Sequence, residues 1–287
     1  MKEIGIVYDR IRWEEKALIK ASKKLGLTPK PVDSKEIYID TTESLDKLRE
    51  RFGQLAIQRC VSYFRGLHTT AVLENAGLSV INSFDVSSIC GNKLFTTLAL
   101  IKSGVPVPKT FLAFTEEGAL KALEKLGYPA VMKPVVGSWG RLVALIKDKD
   151  SAQALIESRK QMRSALLQIY YLQEYVERPP RDIRIMVIGD EVIAASYRYS
   201  PQDEWRTNVA RGGVSKPCSV TPEIEEVALK ASRAVGGGVL AVDCMEGPDK
   251  ILVHEVNSTV EFRGLSSATH VNIAEKIIEY AVKVAEG

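Results

Sequence analysis

The hydrophobic pattern of the first part of the chain alternates between strand-like and helix-like periods. Ile4–Tyr8 is a short apolar run, and Trp13–Leu25 repeats apolar residues every three or four positions before Gly26. The first pattern predicts a buried strand, and the second an amphipathic helix that ends at a glycine. We also predict strands at Leu55–Gln58 and Ser79–Ile81 and a helix at Arg65–Ala76. Alternating strands and helices favour a parallel sheet with crossover helices.

Beyond Gly91 the pattern predicts two further blocks. The first has strands at Phe111–Phe114, Ala130–Lys133 and Leu142–Ile146, and helices at Lys93–Ser103, Glu116–Leu126 and Ser151–Met162. The second has strands at Leu167–Val176, Ile183–Ile188, Val192–Tyr199, Val239–Cys244 and Ile251–Val256, and helices at Glu223–Val235 and Ala274–Ala285. We therefore predict an α/β protein with three domains, at residues 1–90, 91–170 and 171–287.

Composition and charge restrict the class of protein. Of 287 residues, 45% are hydrophobic and 26% charged, a globular balance that excludes long disordered tracts. A net charge of +3 is too small to indicate nucleic acid, although it suits an acidic partner. The four cysteines form no CxxC pair and predict buried, reduced thiols (Cys60, Cys90, Cys218 and Cys244). Because no apolar run approaches 18 residues and the start is too short and charged for a signal peptide, we expect a cytoplasmic protein.

Three polar residues on adjacent predicted strands indicate a metal site. Glu255 and Asn257 are two positions apart on one strand, so their side chains share a face. Asp243 is expected to end the apolar strand beside it. Two carboxylates and an amide oxygen suit Mg²⁺ that carries nucleotide phosphates. The alternative is a surface strand with ordinary polar residues.

A lysine and a glycine-rich loop suggest phosphate binding. Lys133 closes an apolar strand, where it could place a charge on a phosphate or extend to solvent. The segment Gly137–Arg141 could cover phosphates with its backbone N–H groups, but by itself it is more typical of a plain turn. It matches neither the P-loop nor the GxGxxG pattern, so those nucleotide folds lose support.

Other polar segments are open to two interpretations each. Gln173–Val176 could present backbone groups to an adenine or act as a hinge, and the alternation in Asp182–Arg184 indicates a half-exposed strand. The loop with Trp205–Asn208 and Arg211–Gly213 suits an anion. The three histidines show no metal-ligand spacing, and the sequence supports no Ser/His/Asp or Cys/His arrangement.

Taken in order, these motifs resemble those of the ATP-grasp carboxylate–amine ligases. The similarity is greatest to the RimK-like branch, and within it to the LysX/ArgX ligases of the amino-group carrier protein LysW, and it covers essentially the whole chain. The residues that carry it are Lys93, Lys133-Pro134, Gly137–Arg141, Gln173–Val176, Asp182-Ile183-Arg184, Arg206-Thr207-Asn208, Arg211-Gly212-Gly213, Asp243 and Glu255-Val256-Asn257.

This resemblance implies an ATP-grasp fold with a Rossmann-like preATP-grasp domain at the N-terminus and ATP between the other two domains. Lys93 and Lys133 would contact the ATP phosphates under a lid formed by Gly137, Ser138, Trp139, Gly140, Arg141, Leu142 and Val143. Gln173, Glu174, Tyr175 and Val176 would hold the adenine, with Asp182 on the ribose side, and Arg184 would also contact the nucleotide. Arg198, Arg206 and Asn208 would face the γ-phosphate and the acyl group, and Asp243, Glu255 and Asn257 would bind Mg²⁺, as two ions.

The residues after the metal-binding strand bear on the amino acid that is added. We expect the strand to continue through Thr259–Leu265. In the resembling ligases, Gly-Phe after EF[K/R] goes with glutamate, and Asn followed by a small residue goes with 2-aminoadipate. The pair here, Gly264-Leu265, implies that glutamate is preferred, with 2-aminoadipate as the main alternative or a second substrate. Otherwise Gly264 permits a turn and Leu265 packs in the core.

The implied partner is a small acidic carrier protein whose C-terminal glutamate is activated by ATP. The α-amino group of glutamate or 2-aminoadipate would then be attached, on the way to arginine or lysine, by a homo-oligomer (dimer or tetramer) that binds neither nucleic acid nor membrane. Three alternatives remain: a RimK-like enzyme that adds glutamate to a coenzyme or a ribosomal protein, a non-catalytic nucleotide-binding regulator, and a NAD-dependent dehydrogenase. The absence of GxGxxG disfavours the dehydrogenase.

Overall fold

The computed structural model describes residues 2–201, 205–207 and 213–286. Its N-terminal part holds a parallel sheet in the order β2-β1-β3-β4, flanked by four helices. The strands are β1 (Glu3–Tyr8), β2 (Thr28–Asp33), β3 (Leu55–Gln58) and β4 (Ser79–Ile81), and the helices are α1 (Trp13–Lys24), α2 (Leu45–Phe52), α3 (Tyr63–Asn75) and α4 (Phe84–Cys90). The predicted parallel sheet is confirmed. The unpredicted β2 contains Pro29 and Pro31 and is an edge strand, which is where prolines are tolerated.

The central sheet is antiparallel, in the order β5-β8-β6-β7. Its strands are β5 (Thr110–Ala113), β6 (Ala130–Lys133), β7 (Ala144–Ile146) and β8 (Tyr170–Glu174), and the helices around it are α5 (Lys93–Lys102), α6 (Glu116–Leu126) and α7 (Lys149–Gln161). The prediction of a strand from Leu142 was wrong, because Leu142 has a φ of 56°, in the left-handed region. The strand predicted from Leu167 starts at Tyr170, after a 3₁₀ turn at Ala165–Gln168.

The C-terminal sheet is also antiparallel, in the order β11-β10-β9-β12-β13. Its strands are β9 (Arg181–Ile188), β10 (Glu191–Tyr199), β11 (Val214–Pro217), β12 (Val239–Glu246) and β13 (Ile251–Asn257). The helix α8 (Pro222–Val235) lies between β11 and β12 in the chain, and α9 (Arg263–Thr269) and α10 (Ile273–Glu286) follow β13. Two predictions were wrong here: β12 continues past Asp243, and β13 ends at Asn257 rather than running on to Leu265. The buried Phe262 and Leu265 are three positions apart, a helical spacing that alternation at Val260 and Phe262 conceals.

The N-terminal domain packs directly onto the C-terminal sheet. Ile4 and Leu18 share one apolar core with Met186, Phe262 and Ile277. Because they share one apolar core, the N-terminal part and the C-terminal sheet are held in a fixed position relative to each other. In the described part of the chain, no helix is long and apolar enough to cross a membrane.

A buried asparagine links these two domains by main-chain hydrogen bonds. The Asn82 amide nitrogen donates to the carbonyls of Val239 (2.8 Å) and Ser258 (2.7 Å), and its oxygen accepts from the Val239 N–H (2.7 Å). Gly238 has a φ of +107°, and a Cβ there would lie 2.2 Å from Asn82 Oδ1. The approach of Asn82 to this backbone therefore requires glycine at position 238. The hydrogen bonds of Asn82 anchor the N-terminal domain beside the end of β13.

Candidate active site

The pairing of β12 with β13 brings the three predicted metal ligands together. Asp243 lies opposite Glu255, and Ala241 opposite Asn257. The Asn257 side-chain amide is 3.2 Å from Asp243 Oδ2. Asp243 is buried, whereas the Glu255 side chain is 23% exposed and can reach a ligand. This cluster offers two carboxylates and one amide oxygen on adjacent strands.

Three cations hold these carboxylates ionised. Arg184 donates twice to Asp243, at 2.8 Å from both Nε and Nη2, and Arg198 Nη2 lies 3.2 Å from the same carboxylate. Lys93 Nζ lies 3.2 Å from Glu255. Burial opposes ionisation of both acids, but the arginines hold the pKa of Asp243 well below its usual value, and Lys93 lowers that of Glu255.

The donor chemistry fits Mg²⁺, which prefers ionised oxygen ligands. The described residues contain no group of three or more His, Cys, Asp or Glu arranged to hold a metal ion. Asp243, Glu255 and Asn257 would therefore bind Mg²⁺ only together with other oxygens, and nucleotide phosphates would supply them. Mg²⁺ usually binds through one or two carboxylates plus substrate phosphates, which agrees with this set.

Asp182 is more buried than the sequence pattern indicated. Its side chain is 2% exposed and accepts hydrogen bonds from Arg198 Nε and Nη2 at 2.7 and 2.6 Å, and from the Thr207 hydroxyl. The prediction of a half-exposed strand at Asp182–Arg184 was therefore wrong. Since both oxygens are engaged by Arg198, Asp182 positions that arginine in the site, and its contact with a ribose stays a prediction.

A cleft between the central and C-terminal sheets is lined by most of the described residues predicted to bind ATP. Leu142 is exposed and lies outside its walls, and Arg184 lines the neighbouring cavity and pairs with Asp243 instead. Lys133 donates to Gln173 Oε1 at 2.6 Å, and burial lowers the pKa of Lys133 to about 8. The Glu174 side chain accepts from the Lys109 N–H at 2.7 Å, so both Gln173 and Glu174 use their side chains within the protein. Contacts with adenine would therefore come from the backbone of this segment. The walls of the cleft include Tyr175, Val176, Arg178 and Met245, of which Arg178 and Met245 were not predicted.

The lid residues 137–143 lie closed over this cleft. Arg206 Nη1 donates to the carbonyls of Gly140 (3.4 Å) and Val143 (3.2 Å), and Lys93 Nζ donates to that of Gly137 (2.6 Å). The cleft volume is about 80 Å³, against roughly 300–1,000 Å³ for typical ligand pockets. The lid must therefore open to admit a nucleotide.

Two lid side chains, those of Trp139 and Arg141, make contacts that hold the loop in its conformation. Trp139 has a φ of 58°, an unusual conformation outside glycine, and its indole N–H points to Glu261, at 3.2 and 3.3 Å from the two oxygens. The Arg141 guanidinium lies 4.8 Å from the centre of the Trp139 ring. Ser138 also lines the cleft. The lid thus contacts the C-terminal domain through Trp139 as well as through Arg206.

A second cavity, of about 390 Å³, lies between the N-terminal domain and the cleft described above. The residues that line both are Lys93, Gly137, Ser138, Trp139, Arg198 and Glu255. Arg12, Tyr63 and Cys90 of the N-terminal half form the opposite wall. Of the predicted metal ligands, Glu255 lines both cavities and Asn257 lines the second, whereas Asp243 is buried behind them.

His254, which the sequence analysis did not single out, lines the cleft between the central and C-terminal sheets because of a β-bulge. The pairing between β12 and β13 shifts after Asp243, and His254 is the extra residue. Burial, followed by the charge of Lys133, lowers the pKa of His254 to about 4, so this histidine is neutral. No sequence signal marks the bulge, and strict alternation would turn His254 away from Glu255.

The remaining predicted residues lie elsewhere. Gly264 and Leu265 are on α9, outside the walls of both cavities; Leu265 is buried in the core, and a Cβ on Gly264 would lie 3.2 Å from Ser215 Oγ. Asn208, together with Arg211 and Gly212, falls outside the described residues. The four cysteines are free, as predicted, and three of them are buried.

Comparison with known proteins agrees with this arrangement. Residues 90–281 match the RimK-like ATP-grasp domain, and residues 4–89 match the LysX preATP-grasp domain. The chain belongs to the RimK-like ATP-grasp family. This confirms the resemblance and the expected ATP-grasp fold with its preATP-grasp domain, and it identifies the chain as an ATP-grasp ligase.

Relatives of this RimK-like ligase align over nearly its full length. It is 37% identical over 278 residues to a protein named glutamate–LysW ligase ArgX from Sulfolobus acidocaldarius, covering 96% of this chain and 97% of the relative. It is 39% identical over 274 residues to alpha-aminoadipate–LysW ligase LysX from Saccharolobus solfataricus, covering 95% and 98%. An ATP-grasp RimK domain protein from Sphaerobacter thermophilus shares the fold, with a TM-score of 0.78, 22% identity and coverage of 98% and 99%.

Proposed function

We propose that this RimK-like ligase uses ATP to join the α-amino group of glutamate to the γ-carboxylate of the C-terminal glutamate of a small acidic LysW-type carrier protein. Support comes from relatives named as LysW ligases that are 37–39% identical over nearly the whole chain. The observation that carries the proposal is the junction of two cavities at Lys93, Arg198 and Glu255. A reaction that transfers a phosphoryl group and then accepts an amine needs such a junction.

The first step activates the carrier. A carboxylate oxygen of its terminal glutamate attacks the γ-phosphorus of ATP, ADP leaves, and an acyl phosphate forms. The protein contributes mainly charge and position, because phosphoryl transfer needs little covalent help. Lys93, Lys133 and Arg206 would neutralise phosphate charge, and Asp182 holds Arg198 toward the same region. Mg²⁺ held by Asp243, Glu255 and Asn257 would add Lewis-acid stabilisation of the phosphates.

The second step forms the amide. The free amine attacks the acyl carbon, the C–O bond to phosphate breaks, inorganic phosphate leaves, and the amine proton is released. Water would hydrolyse the same acyl phosphate, so closure of lid residues 137–143 has a protective role. The hydrogen bonds from Arg206 to the lid carbonyls support a role for this arginine in holding the lid closed.

The choice of glutamate rests on Gly264-Leu265 and stays a prediction. Relatives named for glutamate and for aminoadipate are 37% and 39% identical, which does not separate the two substrates. Because both residues lie outside the cavity walls, an effect on specificity would act through the placement of α9. Binding of two Mg²⁺ ions, assembly as a dimer or tetramer and a cytoplasmic location are further parts of the proposal.

One experiment tests the activity directly. The enzyme is incubated with ATP, Mg²⁺, a LysW-type carrier and either glutamate or 2-aminoadipate, and the carrier is weighed by mass spectrometry. We expect the carrier to gain one amino-acid residue, with a higher kcat/KM for glutamate. A carrier lacking its terminal glutamate is the matched control and should stay unmodified. An unmodified intact carrier would refute the proposal, and a clear preference for 2-aminoadipate would refute the choice of substrate.

A second activity has a specific observation behind it. A protein from Methanococcus maripaludis named tetrahydromethanopterin:alpha-L-glutamate ligase is 31% identical, covering 99% of both chains. Including tetrahydromethanopterin as an acceptor in the same assay separates the two. Glutamylation of that coenzyme instead of the carrier would favour this alternative.

A further inference from the structure

Glu261 differs from the other acidic residue in the wall of the second cavity. The acidic residues that line this cavity, within the described ranges, are Glu255 and Glu261. Glu255 pairs with Lys93 and belongs to the predicted metal cluster. Glu261 lies on the loop between β13 and α9, and its side chain is 37% exposed. It is therefore the carboxylate that a second reactant could meet without competing with the metal.

The contacts of Glu261 leave it able to accept further hydrogen bonds. Oε1 accepts from Arg12 Nη1 at 2.9 Å, and the Trp139 indole N–H lies 3.2 and 3.3 Å from the two oxygens. A carboxylate can accept about four hydrogen bonds. Trp139 lines both cavities, so Glu261 lies within one side chain of the junction where the acyl phosphate would form.

The charges behind Glu261 favour a cation. Arg12 is shared between Glu261 and the buried Glu15, which it contacts at 2.8 Å. Arg59 also pairs with Glu15 at 3.1 Å, and Glu14 acts on both arginines. These five groups carry two positive and three negative formal charges. The pocket edge at Glu261 therefore holds one negative charge that no partner within the group balances.

The other end of the cavity wall carries more basic than acidic side chains. Lys93, Arg184 and Arg198 line the end nearest the metal cluster. An amino acid carries both an ammonium group and carboxylates, and a chamber with a basic end and one acidic edge matches that distribution. Electrostatic complementarity of this kind orients a ligand as well as retaining it.

We infer that Glu261 binds the α-ammonium group of the acceptor amino acid and directs it toward the acyl phosphate. This inference rests on the proposed function and assigns a binding residue to the second cavity. The ammonium group releases one proton to solvent water before attack, and Glu261 then holds the neutral amine by accepting an N–H hydrogen bond. This role of Glu261 is separate from any effect on lid closure, which would act through the contact of the same carboxylate with Trp139.

The test compares Glu261→Gln with Glu275→Gln. Glutamine keeps the shape of Glu261 and an oxygen for Arg12 and Trp139 but removes the charge. Glu275 forms an ion pair with Lys24 at 2.6 Å, also between the two terminal domains but outside both cavity walls, and is the matched control. We expect Glu261→Gln to raise KM for glutamate roughly 10- to 100-fold, as for loss of a charged hydrogen bond, and Glu275→Gln to change it less than twofold.

Hydroxylamine separates ammonium binding from a structural effect. It is small and neutral at neutral pH, and it traps the acyl phosphate as a hydroxamate without needing an ammonium site. We expect carrier-dependent ADP formation with hydroxylamine to be the same in wild type and Glu261→Gln. A parallel loss with hydroxylamine and glutamate would overturn the inference, because it would mean that the variant disturbs the lid. An unchanged KM for glutamate would overturn it as well.

Glutarate provides a readout that does not depend on the variant's activity. It has the two carboxylates of glutamate but no amino group, so it should inhibit wild type and Glu261→Gln with equal Ki. Wild type should also bind glutarate more weakly than glutamate by about the factor that the substitution costs. A glutarate Ki that rises with the substitution would overturn the inference. Absence of any product with the wild-type enzyme would instead reject the proposed function. Normal wild-type turnover combined with a contrary result in the KM, hydroxylamine or glutarate comparison would reject only the role of Glu261.

Discussion

Asp243 and Glu255 should respond differently to neutralisation although both are predicted to bind the same metal. Asp243 is 1% exposed and accepts two 2.8 Å hydrogen bonds from Arg184. Glu255 is 23% exposed and pairs with Lys93, which also donates to Gly137. Asp243→Asn removes one partner of a buried ion pair, whereas Glu255→Gln removes a partly solvated one.

The expected loss of stability follows from these surroundings. Breaking a buried pair costs about 3–5 kcal/mol when the remaining charge is sealed from water. The Arg184 side chain is 18% exposed and Arg198 keeps Asp182 as a partner, so for Asp243→Asn we expect a loss at or just below the lower limit of that range, about 2–3 kcal/mol. That corresponds to a drop in Tm of roughly 4–12 °C for a protein of this size. Glu255→Gln should lose less than about 1 kcal/mol, or roughly 4 °C at most.

Stability and activity are measured on the same preparations. Calorimetry without ligands at neutral pH gives Tm, where the low pKa of Asp243 means that its ionised form contributes fully. ADP formation that depends on carrier and amino acid gives turnover, and both variants should lose at least 100-fold if Mg²⁺ is held as proposed. Unchanged Tm in Asp243→Asn would contradict the buried ion pair. Near-normal turnover in folded Glu255→Gln would remove this cluster from the mechanism.

Three further outcomes test separate features. Because the pKa of Lys133 is about 8, kcat/KM for ATP should fall about tenfold per pH unit above pH 8. Lys133→Arg should flatten this pH profile. A wild-type profile that stays level to about pH 9.5 would contradict the low pKa of Lys133. Gly238→Ala would force a Cβ to 2.2 Å from Asn82 Oδ1 at a φ of +107°, so its unfolding free energy should fall by about 2–4 kcal/mol, measured by denaturant titration. Burial raises the pKa of Cys60 to about 11 and that of Cys90 further, so neither thiol should react with iodoacetamide within minutes at pH 7.5, as peptide mapping by mass spectrometry would show.

The sequence predicted best those elements whose pattern is local. The predicted elements β1, β3, β6, α1 and α6 match the structure closely. The strands are buried on both faces, which produces a continuous apolar run, and the helices are buried on one face, which produces the helical spacing. β2 escaped prediction since its prolines are acceptable only at an edge, and the position of a strand in a sheet is not a local property.

The candidate site shows the same division. The spacing of Glu255 and Asn257 predicted both on one strand face, with Asp243 on the strand beside them. The structure adds the register, which sets Asp243 directly opposite Glu255. Asp182 looked half-exposed because its alternation was read without knowledge of Arg198, which lies opposite it on β10 and buries it. A buried charge becomes acceptable only when its partner is known, and that partner is 16 positions away.

Residues contributed by a third element were the hardest to find. Glu261 follows β13 on a loop, Arg12 precedes α1, and Trp139 lies in the lid, yet one carboxylate contacts both of the other side chains. Each lies in a different sheet-containing part of the fold, so no period or motif relates them. Their meeting point depends on the docking of the N-terminal domain through Asn82, which fixes where Arg12 lies relative to the end of β13. An acceptor cavity built in this way can differ between relatives that keep the same ATP-binding motifs, and specificity for the amino acid then follows from domain placement as much as from the residues at Gly264-Leu265.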